Sequence, residues 1–364
     1  MTEGLHLAVA LDDAGWHPGA WREPGARPAE LLTAGYWTDL VRHAERGRLD
    51  FVTIEDRGAS APGGPPDDER TDLVRGRLDA LLIAARVAPL TSHIGLVPSV
   101  VTTHTEPFHV STQLATLDYV SRGRAGWRVQ IARDAGRDVD DLVAEAADHV
   151  EVVRRLWDSW EDGAEIRDVA TGRFVDRERL HYVDFAGRHF SVKGPSITPR
   201  PPQGQPIVAA LAHGRHVYEF AAAGADVVFV TPTGPDSARA IAAEVRALTD
   251  RPVKIFADLI VYLGRRPDGE LPESDAHTFE GTPGDLADLL AEWHAAGLDG
   301  FRLRPGVLPA DLLSIVDDVV PALRERGLFR TEYEAGTLRG HLGLERPASR
   351  YAASGPVRSA GVAA

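Results

Sequence analysis

Apolar residues follow two alternating rhythms along the chain. Short apolar runs that end in polar residues predict buried strands at 5–11, 50–56, 94–101, 125–131, 206–210, 226–230, 253–263 and 300–303. Between them, apolar positions three and four apart predict helices near 28–47, 73–87, 106–122, 139–160, 214–223, 236–248, from 282 onward, and 309–327. In the third unit, Glu106 and Pro107 suit a first helical turn and Arg122 with Gly123 suits a stop. A helical crossover returns the chain to the same edge, so the strands it joins are parallel. Eight such units in strict alternation predict an α/β fold, a (β/α)8 TIM barrel. An open doubly wound sheet with an extra domain competes, but no Gly-x-Gly-x-x-Gly follows the first strand.

One segment, 165–204, breaks the rhythm. Its aromatic runs Leu180 to Phe185 and His189 to Val192 flank Ala186-Gly187-Arg188, which predicts a β-hairpin insertion between helix four and strand five. The Pro/Gly-rich stretch 59–66 reads as a mobile loop. A single barrel domain is expected over 1–330, followed by an irregular tail at 331–364 whose last dozen small residues are expected to be disordered.

Composition narrows the function classes. Forty basic against 54 acidic residues give a net charge of −14, which disfavours nucleic acid and anionic membranes as partners. With no cysteine there is no disulfide, thiolate metal site or cysteine nucleophile. The first residues lack the basic flank and apolar core of a signal peptide, and no apolar window is long enough to span a bilayer, so a cytoplasmic protein is expected.

Chemistry is expected where parallel strands end. His213 and His216 lack carboxylate partners at metal-ligand spacing, so no metal is expected. No Gly-x-Ser-x-Gly elbow or phosphate-binding Gly-x-x-x-x-Gly-Lys loop occurs, which leaves an organic cofactor as the source of reactivity. Arg128 and Gln130 alternate with Trp127 and Val129 and therefore share a strand face. That face either donates hydrogen bonds to a ligand at the mouth or forms a polar layer inside the barrel. Thr102 and Thr103 either face the same ligand or only end their strand and cap the helix at Glu106. Gly214 opens a helix whose first N–H groups attract an anion. His17, in the loop after strand one, is either near substrate or an ordinary loop histidine.

The runs Thr102-Thr103-His104-Thr105-Glu106-Pro107-Phe108 and Leu117 to Trp127, with Ala14-Gly15-Trp16-His17, Phe51 to Asp56, Pro199 to Pro206, Gly281-Thr282-Pro283 and Asp299-Gly300-Phe301, resemble the bacterial luciferase-like flavin monooxygenases. The branch they are most similar to holds the large component of nitrilotriacetate monooxygenase and the alkane and sulfur-compound monooxygenases. The resemblance implies a TIM barrel that takes reduced FMN, as a diffusible co-substrate, from a separate NAD(P)H:flavin reductase. With O2 the barrel then oxygenates a small organic substrate, as a homodimer or larger assembly. It further implies that Asp56, Thr102 and Thr103 lie by the flavin ring, with Arg128 and Gln130 at its pyrimidine edge. Leu211-Ala212-His213-Gly214 matches the family's phosphate turn, and His17 its substrate side as a catalytic residue. The family often has Asn where Arg128 stands and Ser where Ala212 stands. Two alternatives remain: a deazaflavin-dependent hydride-transfer enzyme, and a non-catalytic flavin-binding protein.

Overall fold

The computed structural model describes residues 4–55, 71–132 and 136–352. Eight parallel strands form a closed barrel: β1 (His6–Leu11), β2 (Phe51–Ile54), β3 (Gly95–Val101), β4 (Gly126–Gln130), β9 (Ile207–Leu211), β10 (Val227–Val230), β11 (Lys254–Tyr262) and β13 (Gly300–Pro305). Around the ring they run β10-β9-β4-β3-β2-β1-β13-β11, and a β10–β11 pairing closes it. Helices α1 (Ala34–Arg46), α2 (Ala80–Val87), α3 (Pro107–Ser121), α4 (Val139–Asp158), α5 (Arg215–Gly224), α6 (Pro235–Ala247) and α7 (Pro283–Ala295) cover the outside. The eighth crossover is α8 (Ala310–Ser314), a π-helical turn and α9 (Val320–Glu325). None of these helices is long and apolar enough to cross a membrane.

Helix α2 begins seven residues later than the apolar spacing predicts from 73. Gly76 takes a left-handed φ of 82°, which ends any earlier turn, and Asp79 caps the true start by accepting from the Leu82 N–H at 2.8 Å. The freed segment 71–78 lies along the mouth of the barrel instead. The insertion before β9 carries two small hairpins, β5 (Glu165–Asp168) with β6 (Arg173–Val175), and β7 (Phe185–Ala186) with β8 (Ser191–Val192). A further short strand, β12 (His277–Glu280), extends β11 at its outer half, inside a stretch that reads as Gly/Pro-rich loop.

Side chains inside the barrel stack in layers. The predicted irregular tail closes the amino-terminal end: Leu338 of α10 (Leu338–His341), Leu342 and Leu344 pack against Phe51, Val97 and Phe256. Gly95 is required there, because a Cβ would come within 2.5 Å of Leu338 and 2.8 Å of Phe51. The tail is held by the Leu338 N–H donating to the Gly123 carbonyl and by Arg339, which reaches Asp226. Residues 353–364, expected to be disordered, lie outside the described residues. Above the plug, Phe51, Phe229 and Phe256 form an aromatic trio with centroids 5.7–6.3 Å apart. Each such pair adds about 1 kcal/mol beyond its buried area.

Asp118, at the end of α3, ties the outer layer to β4. It accepts from the Ala125 N–H at 3.1 Å and from the backbone and side-chain N–H groups of Gln203 at 3.0 and 2.6 Å. Burial nevertheless pushes its carboxyl up to about 6 from an ordinary 3.8. The folded state therefore holds this proton more tightly than the unfolded chain, and the residue's contribution to stability falls as pH rises through that interval. Relative to Asp118→Asn, wild type is expected to lose stability between pH 4 and 6 in urea titrations. A stability difference that is flat across that range would contradict the assignment.

Candidate active site

Strand register brings the predicted residues to one rim. Val101 of β3 pairs with Gln130 of β4, and Val129 pairs with Ala210 of β9, which puts Gln130 level with Leu211. Thr102–His104 form a short 3-10 turn directly above β3. The Thr102 hydroxyl donates to the Gln130 carbonyl at 3.2 Å, and the Thr103 hydroxyl accepts the Ala132 N–H at 3.1 Å. These threonines clip the ends of β3 and β4 together. Thr102 is buried in doing so, while Thr103 keeps part of its surface open.

Next on the rim, Ala212 turns away from it. The Ala212 side chain packs in the apolar layer between barrel and helices, and its N–H donates to the Phe229 carbonyl at 2.8 Å. His213 is exposed, and Gly214 opens α5 with no atom within 4 Å of where a Cβ would stand. An anion at this helix start therefore has room and meets the positive end of the helix dipole. The N–H groups available to it begin after Ala212. Asp56, the remaining predicted ring neighbour, lies outside the described residues.

Arg128 does face the barrel interior, where it joins a buried ionic network. Its Nε donates to Ser99 at 3.0 Å, and Nη2 donates to Glu55 at 2.5 Å and to the Gln130 Oε1 at 3.2 Å. Arg302 reaches Glu55 at 3.5 Å and binds Asp258 at 2.8 Å, and Arg304 reaches Asp258 at 3.2 Å. Arg302 also covers the face of Phe229, 4.6 Å from its centroid, so the network lies directly on the aromatic layer. Burial alone would raise the Glu55 carboxyl, but Arg128, Arg302 and Arg304 outweigh it and leave the group lowered to about 2. Because Gln130 Oε1 is occupied by Arg128, the amide's Nε2 end is the one left to donate at the mouth.

Glu55, Asp258 and Arg302 were not among the residues singled out from sequence. A signal existed for two of them: Asp258 alternates with Phe256 on β11, and Arg302 with Arg304 on β13, which puts each on an inward face.

Across the mouth, the β1–α1 loop is zipped onto the end of β13. The Trp16 N–H donates to the Pro305 carbonyl, the His17 N–H to that of Gly306, and the Leu308 N–H to that of Ala14. His17 is buried, its Nδ1 accepts the Gly19 N–H at 2.9 Å, and its ring meets Tyr262 edge-on. Burial and the nearby Arg266 keep its pKa below the ordinary histidine value, so the ring is neutral at pH 7 with its proton on Nε2. Beta-strands β2, β3 and β4 separate this side of the ring from β9. The two halves of the predicted site therefore face each other over the polar network. No group of three or more His, Cys, Asp or Glu converges as metal ligands among the described residues.

Three comparisons bear on this geometry. The family model for luciferase-like monooxygenases matches residues 15–269. The chain is 31 % identical to N-acetyl-S-(2-succino)cysteine monooxygenase of Bacillus subtilis (strain 168), covering 96 % of this chain and 98 % of the relative. It is 30 % identical to nitrilotriacetate monooxygenase component A of Aminobacter aminovorans, with 94 % and 97 % covered. Among solved structures, riboflavin lyase with modified FMN and riboflavin superposes with a TM-score of 0.83 at 26 % identity, covering 96 % of this chain and 98 % of that one. The alignment to the Bacillus protein runs over 439 positions, more than the 364 residues here, so that relative carries segments this chain lacks.

Proposed function

The chain belongs to the luciferase-like monooxygenase family, and we propose that it is the oxygenase of a two-component system. In this reading it takes reduced FMN from a separate NAD(P)H:flavin reductase and uses O2 to oxygenate a small organic substrate. The observation that carries the reading is the common rim of β3, β4 and β9, where Thr103, Gln130 and Gly214 open above a buried ionic floor. The residues present fit the cofactor: a helix start with free space for a phosphate at Gly214, and polar groups for a ring edge, the Thr103 hydroxyl and the Gln130 Nε2 donor. Bound reduced FMN supplies the electrons that activate O2.

The protein's own part is positioning. The first N–H groups of α5 hold the phosphate end, and Thr103 and Gln130 orient the ring. The network of Glu55, Arg128, Asp258, Arg302 and Arg304 fixes charges that do not reorganise during reaction, which is how preorganised sites stabilise developing charge. Trp16 and the loop that carries it keep water from the reacting centre. Assembly of two or more copies through barrel helices belongs to the same proposal.

Gly214→Asp tests the phosphate position. The backbone there is extended, with φ −171°, and the side chain has open space, so folding should be unaffected. A carboxylate at that spot repels a phosphate, and reduced FMN affinity is expected to fall at least about tenfold, equivalent to about 1.4 kcal/mol. Unchanged affinity would move the phosphate elsewhere. For the reaction itself, the reductase, NADH, FMN and heavy-isotope O2 should place labelled oxygen in a product. Turnover without O2 would instead favour deazaflavin hydride chemistry.

A further inference from the structure

Below the β1–α1 loop lies a cavity of about 370 Å³, within the range of small-molecule sites. A little over half of its wall is apolar, built by Trp16, Trp21, Leu73 and Leu271 together with Val74 and two prolines. Among the described residues the guanidinium in the lining is that of Arg77, which already faces Asp13 at 3.0 Å and Asp12 at 3.6 Å. The cations next outward are matched as well. Arg304 stacks on Trp16 at 3.6 Å and pairs with Asp258, Arg22 pairs with Asp72, and Arg266 with Glu280. Glu270 adds a negative charge to the lining beside the Arg77–Asp13 pair, so among the described residues a ligand bearing several carboxylates would meet a net charge of −1.

Among the described residues, two side chains in the wall, Arg77 through Nη1, which faces Asp12 at 3.6 Å, and His17 through Nε2, hold a buried donor that lacks a hydrogen-bond partner. The Gly19 N–H occupies His17 Nδ1, which leaves the proton on Nε2, and Nε2 is buried with no hydrogen-bond partner among the described residues. A buried unmade donor is costly, and a ligand oxygen would satisfy it.

We propose that the substrate is an uncharged, largely apolar molecule with one acceptor oxygen, such as a ketone or a sulfone, received by the His17 Nε2–H, and not a polycarboxylate. This rests on the monooxygenase reading, in which the same mouth holds the reacting centre. It makes His17 a specificity residue, with Trp16 and Trp21 as the apolar walls.

Binding can be followed by Trp fluorescence of the full chain, without flavin or O2, using benzophenone, diphenylmethane and nitrilotriacetate as probes. Benzophenone is expected to bind at least about tenfold more tightly than nitrilotriacetate. His17→Phe should weaken benzophenone about tenfold and leave diphenylmethane, which has no acceptor, unchanged. His17→Gln, which keeps an N–H donor, should recover part of the loss. Asp13→Asn removes the nearer of the two carboxylates facing Arg77, leaving Asp12 at 3.6 Å, and asparagine tolerates the left-handed φ of 47° there, so diphenylacetate should bind more tightly to that variant than to wild type. Nitrilotriacetate binding as tightly as benzophenone, equal losses for benzophenone and diphenylmethane in His17→Phe, or no saturable response to either neutral probe would overturn the proposal. Failure of reduced FMN to bind would instead overturn the monooxygenase reading, so the two failures are distinguishable.

Discussion

Glu55→Gln is expected to destabilise the protein by about 3–5 kcal/mol, the usual cost of removing one partner from a buried ion pair. Its side chain keeps 7 % of its exposure and lies against Arg128 and Arg302. The neutral amide would leave Arg128, Arg302 and Arg304 with Asp258 as the carboxylate they share in the interior. Replacing a poorly hydrated anion by a neutral group does not restore the guanidiniums' lost hydration, which is why the loss exceeds that of a surface pair. The pH dependence follows from the same contacts. Glu55 has a folded value near 2 against an ordinary 4.5, so its contribution is complete above 4.5 and disappears as pH falls toward 2. Urea unfolding of wild type and Glu55→Gln should therefore differ most at neutral pH and converge in acid. Equal stability at pH 7 would mean that the three arginines do not depend on this carboxylate. Reduced FMN binding should weaken in the variant too, because Arg128 also holds Gln130.

Leu338→Asp is the second large effect, at the opposite end of the barrel. Leu338 is completely buried among Phe51, Val97 and the other plug leucines. Truncating a core leucine costs about 2–5 kcal/mol, and burying an unpaired carboxylate adds several more. The sum is comparable to the whole stability of an ordinary domain, about 5–15 kcal/mol. The expected outcome is loss of cooperative unfolding and of soluble expression, whereas Leu338→Met, which conserves volume, should cost less than about 1.5 kcal/mol. A soluble, cooperatively folding Leu338→Asp protein would show that the tail is not part of the core.

The plug also shows where sequence reading stops. Leu338, Leu342 and Leu344 are spaced for neither a long helix nor a strand, and what buries them is the open end of a barrel whose contacting residues, Phe51, Val97 and Phe256, lie far off in the sequence. The barrel strands were legible, because continuous apolar runs between helical patterns leave parallel strands as the economical solution. Arg128 and Gln130 were legible as an inward pair, since alternation assigns a face. Alternation does not identify a partner, and those of Arg128 come from β3 and the end of β2, so the network of Glu55, Asp258 and Arg302 could not be read locally. Helix α2 was overextended because apolar spacing from Leu73 continues through Gly76, whose backbone conformation is decided by the turn. Ala212 was placed at the phosphate turn by resemblance, and the strand before it runs on far enough to bury its side chain and spend its N–H.

The most direct test of the account is an anaerobic titration of the protein with reduced FMN and, separately, with reduced riboflavin, which lacks the phosphate. The rim of β3, β4 and β9 with Gly214 at its helix start predicts saturable one-to-one binding of reduced FMN. Reduced riboflavin should bind at least about tenfold more weakly, and Gly214→Asp should erase most of that difference. Equal affinity for the two flavins, or no saturable binding of either, would contradict it.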